Sequence, residues 1–181
     1  MTDYLHLPAF DPLGSVHVVV EASKGSTAKC KYEPALGVFL FTRPLPHGLC
    51  YPFNWGFVPS TCGDDGDPLD AIVLHDAICA VGTVIPCRTV GVLNVEQKQS
   101  GKTGRNDRFI FRPTIDALAE SGETYSLGPH LKQQLEEFFR AVVIETGKTL
   151  KFLGWEGLRA AEQALRQGAE RFAKPAKKLA S

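Results

Sequence analysis

Hydrophobic and polar residues follow two different rhythms along this chain, and the first is that of short strands. From about Ser15 to Pro113, brief apolar runs are separated by Gly, Pro and Asn residues, which is typical of closely spaced β-strands. The predicted strands lie in the segments SVHVVVEAS, GVFLFTR, LDAIVL, TVIPCRTVGVLNVE and RFIFRP. Many short strands with turn signals between them favour a small closed or nearly closed β-barrel.

After Pro129 the apolar residues recur at the helical period. In HLKQQLEEFFRAVVIETG they form one stripe, and Gly147 is predicted to end this helix. A second helical pattern, EGLRAAEQALRQGAERFA, follows Gly154 and Trp155. The sequence therefore predicts an α+β fold that is mainly β, an OB-like barrel with two C-terminal helices packed outside it.

The chain is predicted to form a single domain over residues 1–181, since its 181 residues are enough for one hydrophobic core. Residues 1–14 are interpreted as an N-terminal extension and residues 174–181 as a frayed basic tail. The polar segment EQKQSGKTGRNDR, between Glu96 and Arg108, is predicted to be a long hairpin loop. Its SGKT is not a phosphate-binding P-loop, because Glu96 stands where that motif requires its first glycine.

Composition and charge give no indication of a nucleic-acid or membrane partner. Apolar residues make up 44% of the chain, charged residues 22%, and the net charge is zero. No apolar run reaches the length of a membrane span, and the start of the chain lacks the pattern of a signal peptide, so a cytoplasmic protein is predicted. The five cysteines lack paired spacing, which favours free thiols over a zinc site or a disulfide framework.

The most unusual segment is DDGDPLD at residues 64–70, where four carboxylates precede or enter an apolar strand. Asp65, Asp67 and Asp70 have the spacing D-x-D-x-x-D, and the glycine and proline between them make the segment tight and stiff. Rigid carboxylates suit a hard divalent cation such as Mg²⁺, with Mn²⁺ as an alternative. An EF-hand is excluded, because Asp76 stands at the loop's twelfth position in place of a glutamate. A solvated acidic turn remains open on these residues alone.

Several motifs around this segment occur in the order of a known family. Glu21 ends a predicted strand, KCKYE and Arg43 follow, and YPFNWGFVPST precedes the acidic cluster. In their order and spacing, these motifs resemble the soluble (family I) inorganic pyrophosphatases. The resemblance covers roughly Val16 to Gly91 and resumes more weakly at EFF and at Gly154-Trp155. It implies the fold of that family and Mg²⁺-dependent hydrolysis of inorganic pyrophosphate to two phosphates by metal-activated water.

The resemblance also implies a role for individual residues. Pyrophosphate carries several negative charges, which divalent cations and basic side chains neutralise. The implied metal ligands are Glu21, Asp65, Asp70 and Asn106. The implied general base, which takes a proton from the nucleophilic water, is Asp67, and the implied substrate contacts are Lys31, Glu33, Arg43, Trp55 and Arg108. Family members form hexamers or dimers, so the resemblance further implies a homo-oligomer.

Part of the family's pattern is replaced in this chain. Trp55 stands where the family has a tyrosine, and Gln97 stands where it has an aspartate. Asn106 replaces a second aspartate, and Arg108 replaces a lysine. The family's Tyr-Lys pair in the first helix corresponds to Val142-Val143. The asparagine carbonyl can still ligate a cation, and the arginine can still contact phosphate.

These replacements leave three hypotheses open. Inorganic pyrophosphate is the favoured substrate, because the carboxylates of the acidic segment are all retained. The missing Tyr-Lys pair and a longer loop could instead admit an organic pyrophosphate such as a nucleotide. The third hypothesis is a non-catalytic homologue that keeps its affinity for metal and phosphate. In each case, Glu96 or Asp107 could supply a missing carboxylate if the loop brings either one into the site.

Overall fold

The structure, a computed structural model, describes residues 2–115 and 127–174. Within these ranges it contains nine strands, a short 3₁₀ helix at Tyr4–His6 and two α-helices. The strands are β1 (Val16–Ala22), β2 (Ala28–Glu33), β3 (Val38–Pro44), β4 (Asn54–Val58), β5 (Leu69–Val73), β6 (Val84–Gln99), β7 (Lys102–Arg105), β8 (Arg108–Pro113) and β9 (Thr149–Gly157). The helices are α1 (Pro129–Val142) and α2 (Leu158–Ala173). Neither of these described helices is long and apolar enough to cross a membrane.

Five strands form a ring in the order β1–β4–β5–β8–β6, and β6 pairs again with β1. Neighbours in the ring are antiparallel, except β5 and β8, which are parallel. Strand β6, at 16 residues, is long enough to pair with β7 and β9 as well. The hairpin β2–β3 is a separate two-stranded sheet. The predicted fold class, a mainly β, OB-like and nearly closed sheet with two C-terminal helices, is therefore confirmed.

The apolar residues divide into two main core clusters, one against each helix. Helix α2 contributes Ala161 and Leu165 to the first cluster, where they meet residues of the strand ring. Helix α1 contributes Leu135, Phe138 and Phe139 to the second. All five side chains are buried, so each helix presents one apolar stripe to the core. This burial explains why the helical periodicity predicts both helices.

The region between the two helices differs from its prediction. Helix α1 ends at Val142, before Gly147, and a turn leads into β9. Strand β9 pairs antiparallel with β6 and contains both Gly154 and Trp155, although no strand is predicted there. Its side chains are half-buried or exposed, so the segment lacks the apolar run that would have predicted a strand.

The segment between Glu96 and Arg108 forms the predicted hairpin, but it consists mostly of strand, so the prediction of a long loop is wrong. Strand β6 continues to Gln99 and returns as β7 through a tight turn at Ser100 and Gly101, both of which have positive φ. Most of this hairpin is exposed, so its sequence has no alternation of apolar and polar residues. Strands β2 and β4 also lie in segments where no strand is predicted.

One glycine of the YPFNWGF motif is required by the close packing of two strands. Gly56 in β4 pairs with Val20 in β1, and a Cβ added at Gly56 would lie 1.8 Å from the carbonyl oxygen of Val19. That distance is far inside van der Waals contact, so a larger residue would force the strands apart. The glycine therefore allows β4, with Trp55 beside it, to pair closely with β1.

The N-terminal segment packs against the β2–β3 hairpin. The ring centroid of Tyr4 lies 5.2 Å from those of both Tyr32 and Phe39. The Tyr32 hydroxyl donates a hydrogen bond to the carbonyl oxygen of Thr2 at 3.0 Å. The predicted N-terminal extension thus supports the hairpin. Of the predicted basic tail, residues 175–181 lie outside the described residues.

Candidate active site

The acidic segment folds as a short loop closed on itself between β4 and β5. The Gly63 amide donates to the carbonyl oxygen of Asp67 at 2.7 Å, and the Asp67 amide donates to Asp65 Oδ1 at 3.1 Å. Gly66 has a φ of 86°, a left-handed conformation that glycine adopts without strain. Local hydrogen bonds therefore hold Asp65 and Asp67 in a defined relation to each other.

The rest of the fold holds this loop at both ends. The hydroxyl of Thr61, which is buried, accepts a hydrogen bond from the Leu69 amide at 3.1 Å. The Cys62 amide donates to the carbonyl oxygen of Gly168 at 3.0 Å, and the Cys62 carbonyl accepts from Arg171 Nε at 2.8 Å. Both of these partners belong to α2. Helix α2 therefore helps to position the acidic loop.

Strands β1 and β2 bring two more predicted residues to the loop. Lys31 on β2 places its Nζ 2.8 Å from Asp67 Oδ1. Burial lowers the pKa of Lys31, but the hydrogen bond and the charge of Asp67 outweigh it and raise the pKa overall. Glu21 on β1 accepts a hydrogen bond from the Tyr32 amide at 2.8 Å. The predicted general base and one predicted substrate contact are therefore directly paired.

Two of the predicted metal ligands carry negative charge that their surroundings do not fully compensate. Burial raises the pKa of Glu21 to about 7, and the charge of Asp70 adds to the shift while the hydrogen bond from Tyr32 opposes it. Burial also raises the pKa of Asp65, and the charges of Asp67 and Asp70 add to that shift. A cation beside these carboxylates would relieve the penalty. Their chemistry therefore fits a hard divalent ion.

Asp65, Asp70 and Asn106 line one cavity of about 450 Å³, between the acidic loop, the β6–β8 region and α2. Three of the four predicted metal ligands thus share a cavity, and Glu21 is not among its lining residues. In the described part of the chain, no group of three or more His, Cys, Asp or Glu side chains is arranged to hold a metal ion. An ion bound here would therefore need amide or substrate oxygens in addition to carboxylates.

Arg108 connects several predicted site residues on the other side of Asp70. It lies opposite Asp70 in the parallel pairing of β5 with β8, and its side chain is almost completely buried. Its Nη1 donates to both Asp70 Oδ2 and Asn106 Oδ1. The guanidinium carbon lies 5.5 Å from the centroid of the Trp55 ring, within the range of a cation–π interaction.

Asp107, one of the two carboxylates considered as replacements for missing ligands, is engaged by other groups. Its oxygens accept hydrogen bonds from Arg105 Nε and Nη2 at 3.1 and 3.0 Å and from the Val95 amide at 2.8 Å. Glu96, the other candidate, lies opposite Arg105 in the β6–β7 pairing. Asp107 therefore braces the base of this hairpin, and its carboxylate is already compensated.

Two basic residues near the site are absent from the sequence-based prediction. Lys29 on β2 lies opposite Arg43 on β3. Burial lowers the pKa of Lys29, and the negative charge of Asp70 opposes this shift. The positive charges of Lys148, Arg108 and Arg43 lower the pKa further. Lys29 and Lys148 therefore share the electrostatic environment of the predicted site.

The sequence signals for these two lysines differ. Lys29 stands two residues before Lys31 in KCKYE, and alternation along a regular strand puts such residues on one side. A bulge between Lys29 and Cys30 shifts the pairing register at this point. Lys148 follows the turn after α1 and belongs to no motif, so nothing in the sequence indicates it.

The two remaining predicted residues, Arg43 and Glu33, lie at opposite ends of the β2–β3 hairpin. Arg43 donates to the carbonyl oxygens of Val142 at 2.7 Å and Pro44 at 3.0 Å, so it contacts the C-terminal end of α1. Glu33 accepts from the Ala35 amide at 3.1 Å in the hairpin turn. Among the described residues, no hydrogen bond or ion pair joins Glu33 to the other predicted site residues.

The sequence is similar to known proteins over most of its length. The sequence model of the family described as inorganic pyrophosphatase matches residues 18–173. The chain belongs to the inorganic pyrophosphatase family. It is 32% identical over 176 residues to an inorganic pyrophosphatase of Thermus thermophilus, and the matched region covers 95% of this chain and 99% of that protein. It is 35% identical over 156 residues to an inorganic pyrophosphatase of Methanosarcina acetivorans, and this match covers 86% of this chain and 90% of that protein.

Solved inorganic pyrophosphatases share the fold as well. The crystal structure of the inorganic pyrophosphatase from T. thermophilus matches with a TM-score of 0.84 and 30% identity, over 96% of this chain and 100% of that one. The inorganic pyrophosphatase from Helicobacter pylori matches with a TM-score of 0.82 and 32% identity, over 93% and 99%. The strand ring with two C-terminal helices is therefore the fold of solved inorganic pyrophosphatases.

Three of the positions at which the sequence is expected to depart from the family's pattern lie together around one guanidinium group. Arg108 contacts both Asn106 and Trp55. A further departure, at Val142-Val143, lies where Arg43 binds the Val142 carbonyl oxygen. Trp55, Asn106 and Arg108 therefore lie together next to Asp70.

Proposed function

We propose that this protein hydrolyses inorganic pyrophosphate to two phosphates in the presence of Mg²⁺, with Mn²⁺ as an alternative ion. One observation carries the proposal. Lys31 Nζ lies 2.8 Å from Asp67 Oδ1, which supports Lys31 as a phosphate contact and Asp67 as the carboxylate that takes a proton from water. Membership of the inorganic pyrophosphatase family, and the names of the relatives, support pyrophosphate as the substrate.

Asp65 would hold the ion together with Asp70 Oδ1 and Glu21, because Arg108 already donates to Asp70 Oδ2 and to Asn106 Oδ1. Burial and neighbouring carboxylates raise the pKa of both Asp65 and Glu21, which is a condition that a bound cation relieves. When bound, Mg²⁺ supplies positive charge to the phosphates and lowers the pKa of a bound water. This ion prefers carboxylate and phosphate oxygens, which is the donor set available here.

A group of basic side chains would bind the phosphates. The charges of Lys148 and Arg43 both lower the pKa of Lys29. Within the described residues, no carboxylate lies at ion-pair distance from any of the three. Like charges held together repel one another, so a polyanion would stabilise the group. We assign the substrate phosphates to these three residues together with Lys31 and Arg108. Arginine offers a planar fork to phosphate and lysine a point charge.

Asp67 is assigned as the general base. Its side chain is 57% exposed and accepts a hydrogen bond from Lys31. A carboxylate has about four acceptor positions, so Asp67 can hold Lys31 and a water molecule at the same time. Transfer of a proton from that water to Asp67 leaves hydroxide to attack one phosphorus atom. The bridging P–O bond then breaks, and the surrounding positive charges stabilise the phosphate that leaves.

We further propose that the chain forms one domain, acts in the cytoplasm and assembles as a homo-oligomer, either a dimer or a hexamer. The five cysteines are free thiols, which suits a reducing compartment. Val38 and Leu40, which alternation places on one face of β3, are 42% and 41% exposed, an apolar surface that association would cover. Size-exclusion chromatography with light scattering tests the assembly, and a monomer at micromolar concentration would contradict it.

The function is tested by measuring phosphate release from pyrophosphate and from a panel of nucleotides, each with Mg²⁺ and with Mn²⁺. We expect release from pyrophosphate, none above background from nucleotides, and none from either in EDTA. Preferential release from nucleotides would identify an organic pyrophosphate as the substrate. Binding of pyrophosphate in calorimetry without any release would identify a non-catalytic homologue. Either of these results would overturn the proposal.

A further inference from the structure

One side of the site contains its own positive charge between two of the proposed metal ligands. Through Nη1, the Arg108 guanidinium donates to Asp70 Oδ2 and to Asn106 Oδ1. A cation that contacts both oxygens takes the position that a divalent ion would need in order to share them. Like charges at such short range repel strongly, so the guanidinium and a divalent ion exclude each other from this position.

The guanidinium is held in place by its surroundings. The Arg108 side chain is 7% exposed and that of Asp70 is 24% exposed. The Trp55 ring packs against the guanidinium, with 5.5 Å between the guanidinium carbon and the ring centroid. Separating this pair would leave two largely buried charges without partners, which is strongly unfavourable. A metal ion would therefore have to overcome that cost before it could displace Arg108.

Charges on this side balance without a divalent ion. Asp70 contributes one negative charge, Arg108 contributes one positive charge, and the amide of Asn106 is neutral. The other side is different, because Asp65 lies beside Asp67 and, among the described residues, no basic side chain lies at ion-pair distance from it. Only the Asp65 side thus has a negative charge that calls for an added cation.

We propose that Arg108 is a built-in replacement for a metal ion between Asp70 and Asn106, so that the protein binds divalent ions only on the side of Asp65. The inference rests on the proposed function for the presence of a divalent ion. The three departures from the family's pattern then form one unit. Trp55 stacks on the guanidinium, and the Asn106 amide accepts its hydrogen bond without attracting a metal ion as a carboxylate would.

If the three residues act as one unit, changing Asn106 alone and changing Asn106 together with Arg108 should have different effects on metal binding. Asn106→Asp alone adds a negative charge beside Arg108, which strengthens the existing contact and leaves the ion excluded. Asn106→Asp combined with Arg108→Gln removes the guanidinium and sets two carboxylates, those at 70 and 106, around the vacated position. The double variant is therefore expected to gain a metal site that neither wild type nor N106D has.

The experiment is a titration of the metal-free proteins with Mn²⁺ in the absence of pyrophosphate, with unbound Mn²⁺ measured by electron paramagnetic resonance. We expect N106D/R108Q to bind one more Mn²⁺ per chain than wild type, and N106D to bind the same number as wild type. Arg166→Gln, which changes an exposed arginine on α2, is the matched control and should leave the number unchanged. Equal numbers in wild type and N106D/R108Q, or an extra ion in N106D, would overturn the proposal.

Circular dichroism of the metal-free double variant shows whether it folds with two facing carboxylates. If it does not, Arg108→Gln alone is titrated in its place, since it removes the guanidinium without adding a second carboxylate. The same gain of one ion is expected, and its absence again overturns the proposal. Hydrolysis is assayed separately. Activity in a wild type that binds as many ions as the double variant overturns only this inference, whereas an inactive wild type overturns the proposed function.

Discussion

The two sides of Asp70 compensate charge in different ways. On one side, Lys31 and Asp67 form an ion pair whose side chains are 52% and 57% exposed. On the other, Arg108 and Asp70 form a pair whose side chains are 7% and 24% exposed. Exposed pairs are weak and exchange partners readily, whereas the partners of a buried pair are costly to separate. The exposed side therefore suits the exchange of water, ion and substrate, and the buried side suits a permanent arrangement.

Unpaired negative charge follows the same division. Glu21 and Asp65 have raised pKa values because burial disfavours their charged forms, and the neighbouring carboxylates add to this. Arg108, by contrast, already compensates Asp70 on the buried side. The comparison teaches that a carboxylate oxygen in an acidic cluster is a candidate metal ligand only where the fold has not already given that oxygen a cation.

The largest expected effect is on the exposed side, from Asp67→Asn. An amide can still accept the hydrogen bond from Lys31 but cannot take up a proton at neutral pH, so kcat for pyrophosphate should fall by ~10²–10⁴-fold. The number of bound Mn²⁺ ions should stay the same. Asp76→Asn is the control, since Asp76 is 98% exposed and pairs with Lys24 away from the site. A D67N variant with wild-type turnover would remove Asp67 from the mechanism.

The second expected effect is on the buried side, from Arg108→Gln. Removing one partner leaves the Asp70 carboxylate without compensation, so the free energy of unfolding in EDTA should fall by about 3 kcal/mol. Urea denaturation measures this loss. Added Mn²⁺ should restore more stability to R108Q than it adds to wild type, because the ion can now replace the guanidinium. Arg166→Gln serves as the control, and a loss as small as that of the control would contradict the proposed importance of the buried pair.

The third prediction concerns Glu21, which forms no ion pair with the described residues. Its folded-state pKa of about 7 lies above the ordinary value of 4.5, so the folded protein holds a proton that the unfolded chain releases. The resulting stability is fully present below pH 4.5 and is lost as the pH rises through 7. Between pH 5 and 8 in EDTA, wild type should therefore lose roughly 2–3 kcal/mol relative to Glu21→Gln.

Denaturation at a series of pH values measures the Glu21 effect. Glu162→Gln on α2 is the control, because its side chain is exposed. Parallel pH profiles for wild type and E21Q would show that Glu21 is not destabilised by its burial. Addition of Mg²⁺ should reduce the difference between them, since a bound cation favours the charged carboxylate.

The smallest expected effect on stability is that of Lys31→Gln. Because the Lys31–Asp67 pair is exposed, the free energy of unfolding should change by less than ~1 kcal/mol. Binding of pyrophosphate should weaken by about tenfold or more, since a hydrogen bond to a charged group is lost. Lys24→Gln breaks a surface pair of the same kind with Asp76 and should change neither quantity beyond that limit. A large loss of stability in K31Q but not in the control would contradict the proposed difference between the exposed Lys31–Asp67 pair and the buried Arg108–Asp70 pair.

Parts of the fold that bury an apolar face were predictable from the sequence, and parts that do not were missed. Helices α1 and α2 each present an apolar stripe to the core, and the strands of the ring other than β4 lie in apolar runs. The hairpin of β6 and β7 and strand β9 pair through backbone hydrogen bonds while their side chains stay exposed or half-buried. Main-chain pairing leaves no periodic pattern in the side chains, so a polar strand reads as a loop.

The sequence by itself determined the mainly β fold with two helices and the identity of the acidic loop. Its four carboxylates lie within seven residues, and a local hydrogen bond with the turn at Gly66 sets the relation between Asp65 and Asp67. Only the tertiary structure decided which cation each carboxylate meets. Lys31 is 36 residues from Asp67 and Arg108 is 38 residues from Asp70, and the pairing of β5 with β8 brings the second couple together. The local sequence pattern does not reveal how close two residues so far apart in the chain lie in space, because strand pairing and burial set that distance.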